Sequence, residues 1–378
     1  MKFNLKTENI IVGEKRTSPF VNEAGIYQDG TVPFCRDKQG MLWAMSGHSH
    51  MGHIGVFCGS SLADMKELYS AELNFCVGNA DYAFSRIPYP EGVKARGSIW
   101  PFGLYICPAT NRFFCFFHNE TGWNGRGSAY DSFGLCETPR FDSDFRHIGL
   151  MHSDDEGKTW TFDRWVLTAE EVCFTDKFSP DAGVALGQKS GLISLGSGDF
   201  TFYDDPRGEY VYLFYNKLML DMNEGTFNEC DVYAARARKR TDGIMGDFVK
   251  YYNGGFCEAG NFGKESAIAR NGWHARVIYS EKYGEYIMAS SPINAGSKTA
   301  PVADILELRS SRNMLEWSKP VAVLKEGEKF GSHYHGLISE GGKGTAYAFD
   351  GDTFTLLLGH NGTDVEIYDI RLCADEKK

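Results

Sequence analysis

The sequence lacks several features that mark common functional classes. Its ten cysteines stand singly with no CxxC pair, and several lie in apolar runs such as FFCFF around Cys115. This spacing argues against a cysteine zinc site and indicates buried, reduced thiols. No stretch approaches the roughly 20 apolar residues that span a bilayer, and the N-terminal MKFNLKTENIIVGEKR has no apolar core of a signal peptide. We therefore expect a cytoplasmic protein.

Positive charge is also scarce. The chain has 39 Lys and Arg against 50 Asp and Glu, a net charge of −11. Nucleic acids and anionic membranes select basic surfaces, so we expect neither as a partner. Helix signals are sparse, and the one tempting segment, SSLADMKELYSAEL around Leu62, is better interpreted as a turn between strands.

Turn chemistry, by contrast, is abundant. The octapeptide SDDEGKTW, Ser153 to Trp160, separates the strand-like runs HIGLM and TFDRWVL. Its serine and acids can bond the backbone of a tight turn, and Gly157 can adopt a positive φ. Thr159 and Trp160 favour a returning strand. These residues predict a β-hairpin with a structural role, and SSRNMLEW at Ser310 to Trp317 is a degenerate copy that keeps the serine and the tryptophan.

A two-part pattern recurs five times along the chain. Each unit has a hairpin that ends in an aromatic-rich strand, then an alternating strand, a polar turn and a returning strand. The hairpins begin at Gly40, Gly103, Asp199, Arg276 and Gly344. Five units of four short strands predict an all-β fold, a five-bladed β-propeller that forms a single domain over residues 1–378.

The fifth unit has one strand after its hairpin, so the N-terminal segment is expected to supply the missing strand and close the ring with the C-terminal strand. A six-bladed ring is the alternative if the long insert between His118 and His147 contains a blade. A pair of β-sandwiches would not explain the five-fold recurrence.

Candidate functional residues follow from this layout. The innermost strand of each blade faces the central channel, so polar residues just upstream of each hairpin converge there. A charge in a segment otherwise built from Gly, Ser and apolar residues is costly unless it has a partner or a function. The candidates are Asp29, Arg96, Trp100, Asp199, Glu258, Lys264, Glu265, His333 and His335, together with His48, His50 and His53 of GHSHMGH.

Two of the carboxylates also have structural explanations. Asp29 precedes Gly30 and suits a turn, and Glu265 could form a salt bridge with Lys264 or Arg270. Asp199 is harder to explain as a turn residue, because GSGD enters a strand rather than leaving one.

The histidines leave the question of a bound ion open. His333 and His335 would share one face of an extended strand, which suits a metal or an anion as well as paired core histidines. A zinc site would need a third ligand, so we assign no metal ligands. No cofactor is expected to be required, although a calcium ion or an anion could occupy the channel.

At these residues the chain resembles two groups of propeller proteins. SDDEGKTW matches the Asp-box of sialidases, S-x-D-x-G-x-T-W, at every defined position. Most of the chain resembles the five-bladed glycosidases of the arabinanase and β-xylosidase type (family 43) and their relatives in families 117 and 183. That second resemblance lies in the five-unit layout, in the early QDG turn with Asp29, and in segments such as GDFTFYDDPRGEYVYLFY.

The resemblance to the glycosidases implies a catalytic assignment. Asp29 would be the base that activates water, Asp199 the second carboxylate, and Glu265 the acid that protonates the leaving oxygen. The turn after the first hairpin strand, where an endo-D-arabinanase-like pattern has an acid, reads SGHS instead. His48 could serve as a histidine general acid, as in the anhydro-galactosidase-like enzymes.

We expect an inverting hydrolase, in which the two catalytic carboxyl groups stand roughly 6.5–9.5 Å apart. Its substrate would be a short oligosaccharide or glycoside. The remaining residues assigned to substrate binding are Arg96, Trp100, Trp123, Arg276, His333 and His335, and Trp273 is a further sugar-stacking candidate that could equally be core. The oligomeric state is not predicted.

Three rival functions stay open. A sialidase would need three convergent arginines, for which Arg96, Arg270 and Arg276 are available. A non-catalytic carbohydrate-binding propeller predicts aromatic and amide groups in the channel without a carboxylate pair. A propeller phosphorylase would need an anion pocket built from arginine and histidine beside one acid.

Overall fold

The computed structural model describes residues 4–17, 30, 32–49, 52–75, 99–120, 146–170, 192–221, 223–224, 226–228, 230–297, 302–341, 344–360 and 364–374. Over these ranges the protein is all-β, and its one helical element is the 3-10 turn Thr7–Asn9. The predicted all-β class is therefore confirmed. The same ranges contain no helix of the length and apolarity needed to cross a membrane.

The first antiparallel sheet follows the N-terminal strand. The strands of this region are β1 (Ile10–Arg16), β2 (Phe34–Arg36), β3 (Leu42–His48), β4 (His53–Gly59), β5 (Lys66–Ser70) and β6 (Glu72–Leu73). Strands β2, β3, β4 and β5 pair in that order. The segment around Leu62 is a turn, as predicted: the Asp64 carboxylate accepts hydrogen bonds from the backbone N–H groups of Ser60 (3.1 Å) and Ser61 (2.7 Å).

The second sheet is an antiparallel meander of four strands. Its strands are β7 (Ile99–Ile106), β8 (Phe113–Glu120), β9 (Arg146–Ser153) and β10 (Thr159–Leu167). Strands β8 and β9 pair along their whole length, although the insert of residues 121–145 between them lies outside the described residues. The strands that flank the insert are thus direct neighbours.

The turn from Ser153 to Trp160 joins β9 to β10, which confirms the predicted hairpin. Ser153 Oγ accepts a hydrogen bond from Gly157 N–H (2.8 Å), and Asp155 Oδ1 accepts one from Thr159 N–H (2.9 Å). Gly157 has a φ of 90°, and the indole N–H of Trp160 donates to its carbonyl at 2.7 Å. Trp160 is completely buried, so the turn anchors the base of the sheet.

The degenerate copy forms a similar turn in a shorter version. Here Ser311, not Ser310, accepts the backbone hydrogen bond, from Met314 N–H at 3.0 Å. The Trp317 indole N–H donates to the Met314 carbonyl at 3.0 Å, and Met314 takes the positive φ of 61°. The serine equivalent to Ser153 is therefore Ser311, one residue later than expected. The copy has one residue fewer than the first turn between this serine and its tryptophan.

The third sheet contains the longest strands. Its strands are β11 (Leu192–Asp204), β12 (Tyr210–Asp221), β13 (Thr226–Phe227), β14 (Val232–Arg238), β15 (Val249–Tyr252) and β16 (Gly255–Ala259). Strands β11, β12, β14, β15 and β16 are antiparallel neighbours in that order. A single parallel bridge between Gly196 of β11 and Arg146 of β9 joins this sheet to the second one. The β11–β12 pairing is interrupted between Ser194 and Ser197 and again between Gly198 and Thr201.

The fourth and fifth sheets complete the chain. The strands of the fourth region are β17 (Trp273–Ser280), β18 (Glu285–Ser291), β19 (Glu307–Ser311), β20 (Val321–Ala322), β21 (Leu324–Lys325) and β22 (Glu328–Lys329). The last strands are β23 (Tyr334–Ile338), β24 (Ala348–Phe349), β25 (Thr353–His360) and β26 (Asp364–Leu372). Strands β17 to β20 form one antiparallel meander, and β23, β25, β26 and β1 form another.

The last sheet differs from the expectation in its first strand. The hairpin that begins at Gly344 was expected to open the fifth unit, but β24 pairs in parallel with β17. The antiparallel partner of β25 is instead β23, the strand that contains His335. The N-terminal β1 supplies the fourth strand by pairing with the C-terminal β26.

Apolar layers separate successive sheets. Met45 of the first sheet packs in one cluster with Phe117 of the second, and Phe116 stacks on Phe202 of the third with ring centroids 5.0 Å apart. Similar layers join the third sheet to the fourth and the fourth to the fifth. The first strands of neighbouring sheets are in contact: β2 with β7, β7 with β11, β11 with β17, and β17 with β23. Polar residues on these first strands can therefore meet.

Candidate functional site

Asp199 lies at an irregular point of β11, the first strand of the third sheet. It has a φ of 48°, a left-handed conformation that is uncommon for a residue other than glycine. The preceding Gly198 has no room for a side chain, because a Cβ there would stand 2.6 Å from His118 Nδ1. The Asp199 side chain is 14% exposed. Local strain of this kind is characteristic of functional positions.

Two cationic or imidazole side chains flank the Asp199 carboxylate. Arg146 Nε lies 3.2 Å from Oδ2, and His274 Nε2 lies 3.4 Å from Oδ1. The Asp199 backbone N–H donates to His118 Nδ1 at 3.1 Å. Burial by itself would raise the pKa of Asp199, but the Arg146 guanidinium, together with His118 and His274, outweighs it and holds the pKa well below its usual range. Asp199 is therefore ionised at neutral pH.

His274 is fixed on its other side by the backbone. Its Nδ1 lies 2.6 Å from the carbonyl oxygen of His333, which can only accept, so Nδ1 carries the proton. Burial lowers the pKa of His274 to about 4, and the contact of its Nε2 with Asp199 only partly opposes this shift, so the ring is neutral at pH 7. The imidazole is thus held between the His333 carbonyl and the Asp199 carboxylate.

Asn216 of β12 holds His274 in place. The His274 residue has a φ of 51°, and its backbone N–H donates to Asn216 Oδ1 at 2.9 Å. The Asn216 amide donates to the carbonyls of Gly272 (2.7 Å) and Asp231 (3.0 Å), and the side chain is fully buried. The amide therefore joins the third sheet to the entry of the fourth sheet.

The rings of the second sheet complete this group. Trp100 packs against His48 and His118, with ring centroids 5.1 and 5.4 Å away, and Phe102 stacks on His118 at 5.3 Å. His48 and Trp100 are buried. Both predicted substrate-binding residues therefore belong to the same contact network as Asp199, although Trp100 is not an open stacking platform.

The fourth and fifth sheets contribute Arg276 and His335. The Arg276 Nε donates to the His335 carbonyl at 3.0 Å, and His335 Nδ1 donates to the Ser332 carbonyl at 3.1 Å. Both side chains are buried. Burial, and then the nearby Arg276, lowers the pKa of His335 to about 3, so this ring is also neutral at pH 7.

His333 does not share the environment of His335. It lies just before β23, where the two-residue repeat of a strand does not apply, so the expectation of a common face is wrong. Its Nδ1 pairs with the Asp304 carboxylate at 2.5 Å, its side chain is 25% exposed, and its carbonyl holds His274. It therefore borders the site mainly through its backbone.

Glu265 lies in a different cluster from Asp199. The Glu265 side chain, 4% exposed, contacts Lys250 at 3.1 Å and Lys217 at 3.6 Å, and accepts a hydrogen bond from Tyr215 at 2.7 Å. The expected partners Lys264 and Arg270 are not the observed ones. Glu265 was selected as part of the entry to the fourth sheet, but that sheet begins at Trp273, so Glu265 packs on the third sheet instead.

Four of the candidate residues, Asp29, His50, Arg96 and Trp123, lie outside the described residues. Gly30, the neighbour of Asp29, is described: a Cβ on it would stand 2.1 Å from the Phe102 ring. Because Phe102 stacks on His118, the chain at position 30 passes beside the Asp199 network.

The two described arginines of the sialidase-like triad, Arg270 and Arg276, differ in burial and in their partners. The Arg270 side chain is 83% exposed and pairs with Asp231 at 2.6 Å, whereas Arg276 is buried. Trp273, the additional stacking candidate, is also buried. Within the described parts of the chain, no group of three His, Cys, Asp or Glu residues is arranged to hold a metal ion.

The sequence interpretation missed Arg146, His118, His274 and Asn216. His274 had a usable signal, since WHARVIY places an imidazole at the start of an apolar strand just upstream of a hairpin. The segment predicted to face the channel, which contains Glu265, lies about ten residues before the strand that starts the fourth sheet. Arg146 and His118 flank the long insert, which was interpreted as a surface loop and hid their convergence.

Comparisons with known proteins bear on the fold. No protein-family model matches the sequence, and no characterised protein matches it by sequence comparison. Two similar solved structures are a putative exo-β-1,3-galactanase from Bifidobacterium bifidum and a family 117 glycoside hydrolase, Zg3597, from Zobellia galactanivorans. The first is 10% identical with a TM-score of 0.50, and covers 99% of this chain and 94% of its own. The second is 9% identical with a TM-score of 0.50, covering 98% and 92%.

The likeness extends over nearly the whole of each chain, so it concerns the entire architecture. At about 10% identity it shows a shared fold, that of β-propeller glycoside hydrolases, and leaves activity to be argued from the site.

Proposed function

We propose that the protein is an inverting glycoside hydrolase that acts on a short oligosaccharide or glycoside. The observation that carries the proposal is the Asp199 carboxylate, held ionised in a left-handed backbone conformation between Arg146 and His274. A buried, strained carboxylate with a strongly perturbed pKa is typical of a catalytic group. The shared fold with glycoside hydrolases supports this choice of chemistry.

The proposed architecture is a five-bladed propeller closed by the terminal strands. Five antiparallel groups begin with β2, β7, β11, β17 and β23, and each of these strands contacts the next. Tyr347 bonds the backbone of Phe34, which supports contact between the fifth group and the first. In such a ring, Asp199, Arg276 and His335 line the channel. The Ser153 to Trp160 turn would then be an Asp-box on the outer part of the second blade.

Asp29 and Asp199 are the proposed pair of carboxylates. Asp29 is the base that activates water, and the ionised Asp199 accepts a hydrogen bond from that water or from a sugar hydroxyl and so orients it. The low pKa of Asp199 suits a group that remains ionised, not one that delivers a proton. The inverting geometry requires the base and the acid to stand roughly 6.5–9.5 Å apart.

For the general acid we propose His48, which is connected to Asp199 through Trp100 and His118. The role of Glu265 as the acid stays a prediction. Its carboxylate is already engaged by two lysines and a tyrosine, all from the third sheet.

The decisive experiment is turnover of a panel of aryl glycosides by the wild type, Asp29→Asn and Asp199→Asn. The panel contains arabinofuranosides, xylosides, galactosides and sialosides, and NMR of the first product identifies inversion. We expect activity on at least one glycoside and a loss of about 10³-fold in both variants. If a folded wild type binds sugars without cleaving any of them, the protein is a carbohydrate-binding propeller instead.

Several finer assignments stay predictions. They are the cytoplasmic location, the single domain over residues 1–378, the absence of a required cofactor, and a channel calcium ion or anion. The free cysteines of the described residues, for example the buried Cys35, Cys115 and Cys230, are compatible with a reducing compartment.

A further inference from the structure

Two guanidinium groups, those of Arg146 and Arg276, are buried near Asp199 and differ in their partners. Arg146 Nε lies 3.2 Å from Asp199 Oδ2. Arg276 has no carboxylate within salt-bridge distance among the described residues. The neighbouring rings of His274 and His335 are neutral at pH 7 because burial lowers the pKa of each.

Arg276 is the arginine of this pair that has no carboxylate partner among the described residues. Its Nε donates to the His335 carbonyl at 3.0 Å and its Nη1 to the Ala275 carbonyl at 3.3 Å. Its Nη2 is buried and makes no hydrogen bond, and no salt bridge joins it to a carboxylate of the described residues. Burial lowers the pKa of Arg276 to about 9, which still leaves it charged at pH 7.

A buried, uncompensated cation is expensive, and proteins normally pair it or use it. The two carbonyl hydrogen bonds hold the Arg276 guanidinium in a fixed orientation. It belongs to β17, the first strand of the fourth sheet, and lies beside His335 of β23. The Arg276 Nη2 donor thus lies where the first strands of two sheets meet.

We infer that the sugar bound beside Asp199 carries an anionic group, a carboxylate or a sulfate ester, which Arg276 recognises. This inference rests on the proposed glycosidase function and narrows its substrate to acidic sugars. An anion would pair with the Arg276 guanidinium and accept a hydrogen bond from Nη2, and guanidinium groups suit carboxylate and sulfate oxygens in charge and geometry. A neutral sugar would leave the cation uncompensated.

The arrangement differs from the arginine triad expected of a sialidase. Arg270 is mostly exposed and engaged with Asp231, so it is not available beside Arg276. Arg270 is instead a matched control: it is an arginine of the same region whose charge lies outside the Asp199 network.

The test uses pairs of 4-nitrophenyl glycosides that differ only in charge: glucuronide against glucoside, galacturonide against galactoside, and 6-O-sulfogalactoside against galactoside. We expect the anionic member of at least one pair to have a kcat/KM about 100-fold higher in the wild type. Arg276→Gln should remove most of that preference through a higher KM for the anionic member, and Arg276→Lys should keep part of it. Arg270→Gln should leave the preference unchanged.

The uronide and sulfate pairs identify which anion is recognised. Equal or better turnover of the neutral members by the wild type would overturn the inference, as would equal losses on both members in Arg276→Gln. Thermal unfolding checks that each variant is folded.

A binding measurement separates this inference from the proposed function. Calorimetry on the wild type compares glucuronate, galacturonate and galactose 6-sulfate with glucose and galactose, and it needs no turnover and no variant. Tighter binding of an acid sugar supports the anion site even if no glycoside is cleaved, in which case the proposed hydrolase activity alone is wrong. Equal affinities, or tighter binding of the neutral sugars, would show that Arg276 does not select an anion.

Discussion

Asp199 and Glu265 are both mostly buried carboxylates with cationic neighbours, yet their surroundings differ in kind. Asp199 lies in an irregular part of β11, with a positive φ and partners from the second and fourth sheets. Glu265 lies against β12 and β15, and its partners Tyr215, Lys217 and Lys250 belong to the third sheet. The first cluster joins several sheets, whereas the second reinforces one.

The difference also concerns how each cluster is held. Lys250 donates to the carbonyls of Thr168 (2.7 Å) and Gly263 (2.9 Å), so its ammonium group ties together segments of the chain around Glu265. Around Asp199 the hydrogen bonds hold His274 in place, so that its Nε2 lies 3.4 Å from the carboxylate. Burial and a cationic partner alone thus do not identify a catalytic carboxylate; the partners' origin and the backbone strain are more informative.

The largest expected effect is on activity at Asp199. Asp199→Asn should lower kcat/KM by about 10³-fold, because the amide cannot replace an ionised acceptor beside His274. The melting temperature should also fall, because the buried Arg146 loses its countercharge. Steady-state kinetics with thermal unfolding measures both. The control is Asp154→Asn, which removes an exposed ion pair with Arg112. It should leave both kcat/KM and the melting temperature unchanged.

The second expected effect is a pH dependence of the free energy of unfolding that arises from three buried histidines. His147, His274 and His335 have pKa values lowered to about 3, 4 and 3, against 6.5 in the unfolded chain. Between pH 6.5 and 4 the unfolded state binds more protons, so stability falls as pH falls, by about 1.4 kcal/mol per pH unit for each histidine. Urea unfolding at pH 7, 6 and 5 measures this slope.

His335→Asn supplies the internal check on that slope, because it should reduce the number of protons taken up on unfolding by about one. Stability that is independent of pH between 6.5 and 5 would mean that these rings are not buried in their neutral form.

At Glu265 the expected loss is of stability. Glu265→Gln leaves Lys250 and Lys217 without a countercharge in a buried setting, which should cost about 3 kcal/mol in the free energy of unfolding. Activity per folded molecule should stay within about ten-fold, a limit small compared with general acid catalysis. Denaturant titration measures the loss of stability, and kinetics per folded molecule measures the loss of activity. A loss of activity above 100-fold in folded protein would indicate that Glu265 is the general acid.

The smallest expected effect is at Arg270. Arg270→Ala removes a mostly exposed ion pair with Asp231, so the free energy of unfolding should change by about 0.5 kcal/mol or less. Activity on sialosides and on the preferred glycoside should be unchanged. A selective loss of sialoside turnover would revive the arginine triad.

Local patterns predicted the strands and turns well. The repeat of hairpins and the turn at Ser153 arise from neighbouring residues, because alternation and turn chemistry act over a few positions. Errors occurred where a distant strand competes for a partner: β24 joins β17, and β23 takes the place expected for it beside β25. Such pairing depends on the packing of whole sheets, which no short segment encodes.

The structure brings several of the predicted residues together. Trp100, Asp199, Arg276 and His335 lie on the first strands β7, β11, β17 and β23, and His48 of β3 packs against Trp100. The roles assigned to these residues stay predictions. Glu265 was assigned to the wrong sheet because the start of β17 was set too early. Arg146 and His274 could not be paired with Asp199 from the sequence, since they are 53 and 75 positions away from it.

By itself, the sequence determined the class of structure and the positions of its turns, because these depend on side-chain alternation and on local backbone preferences. It also singled out Asp199 as a charge with no local reason to enter a strand. Only the tertiary structure decided which groups face that charge, since electrostatics acts through space and not along the chain. The fold places Arg146 and His274 beside Asp199 and two lysines beside Glu265. It leaves Arg276 without a carboxylate partner in the part of the chain that the structure describes.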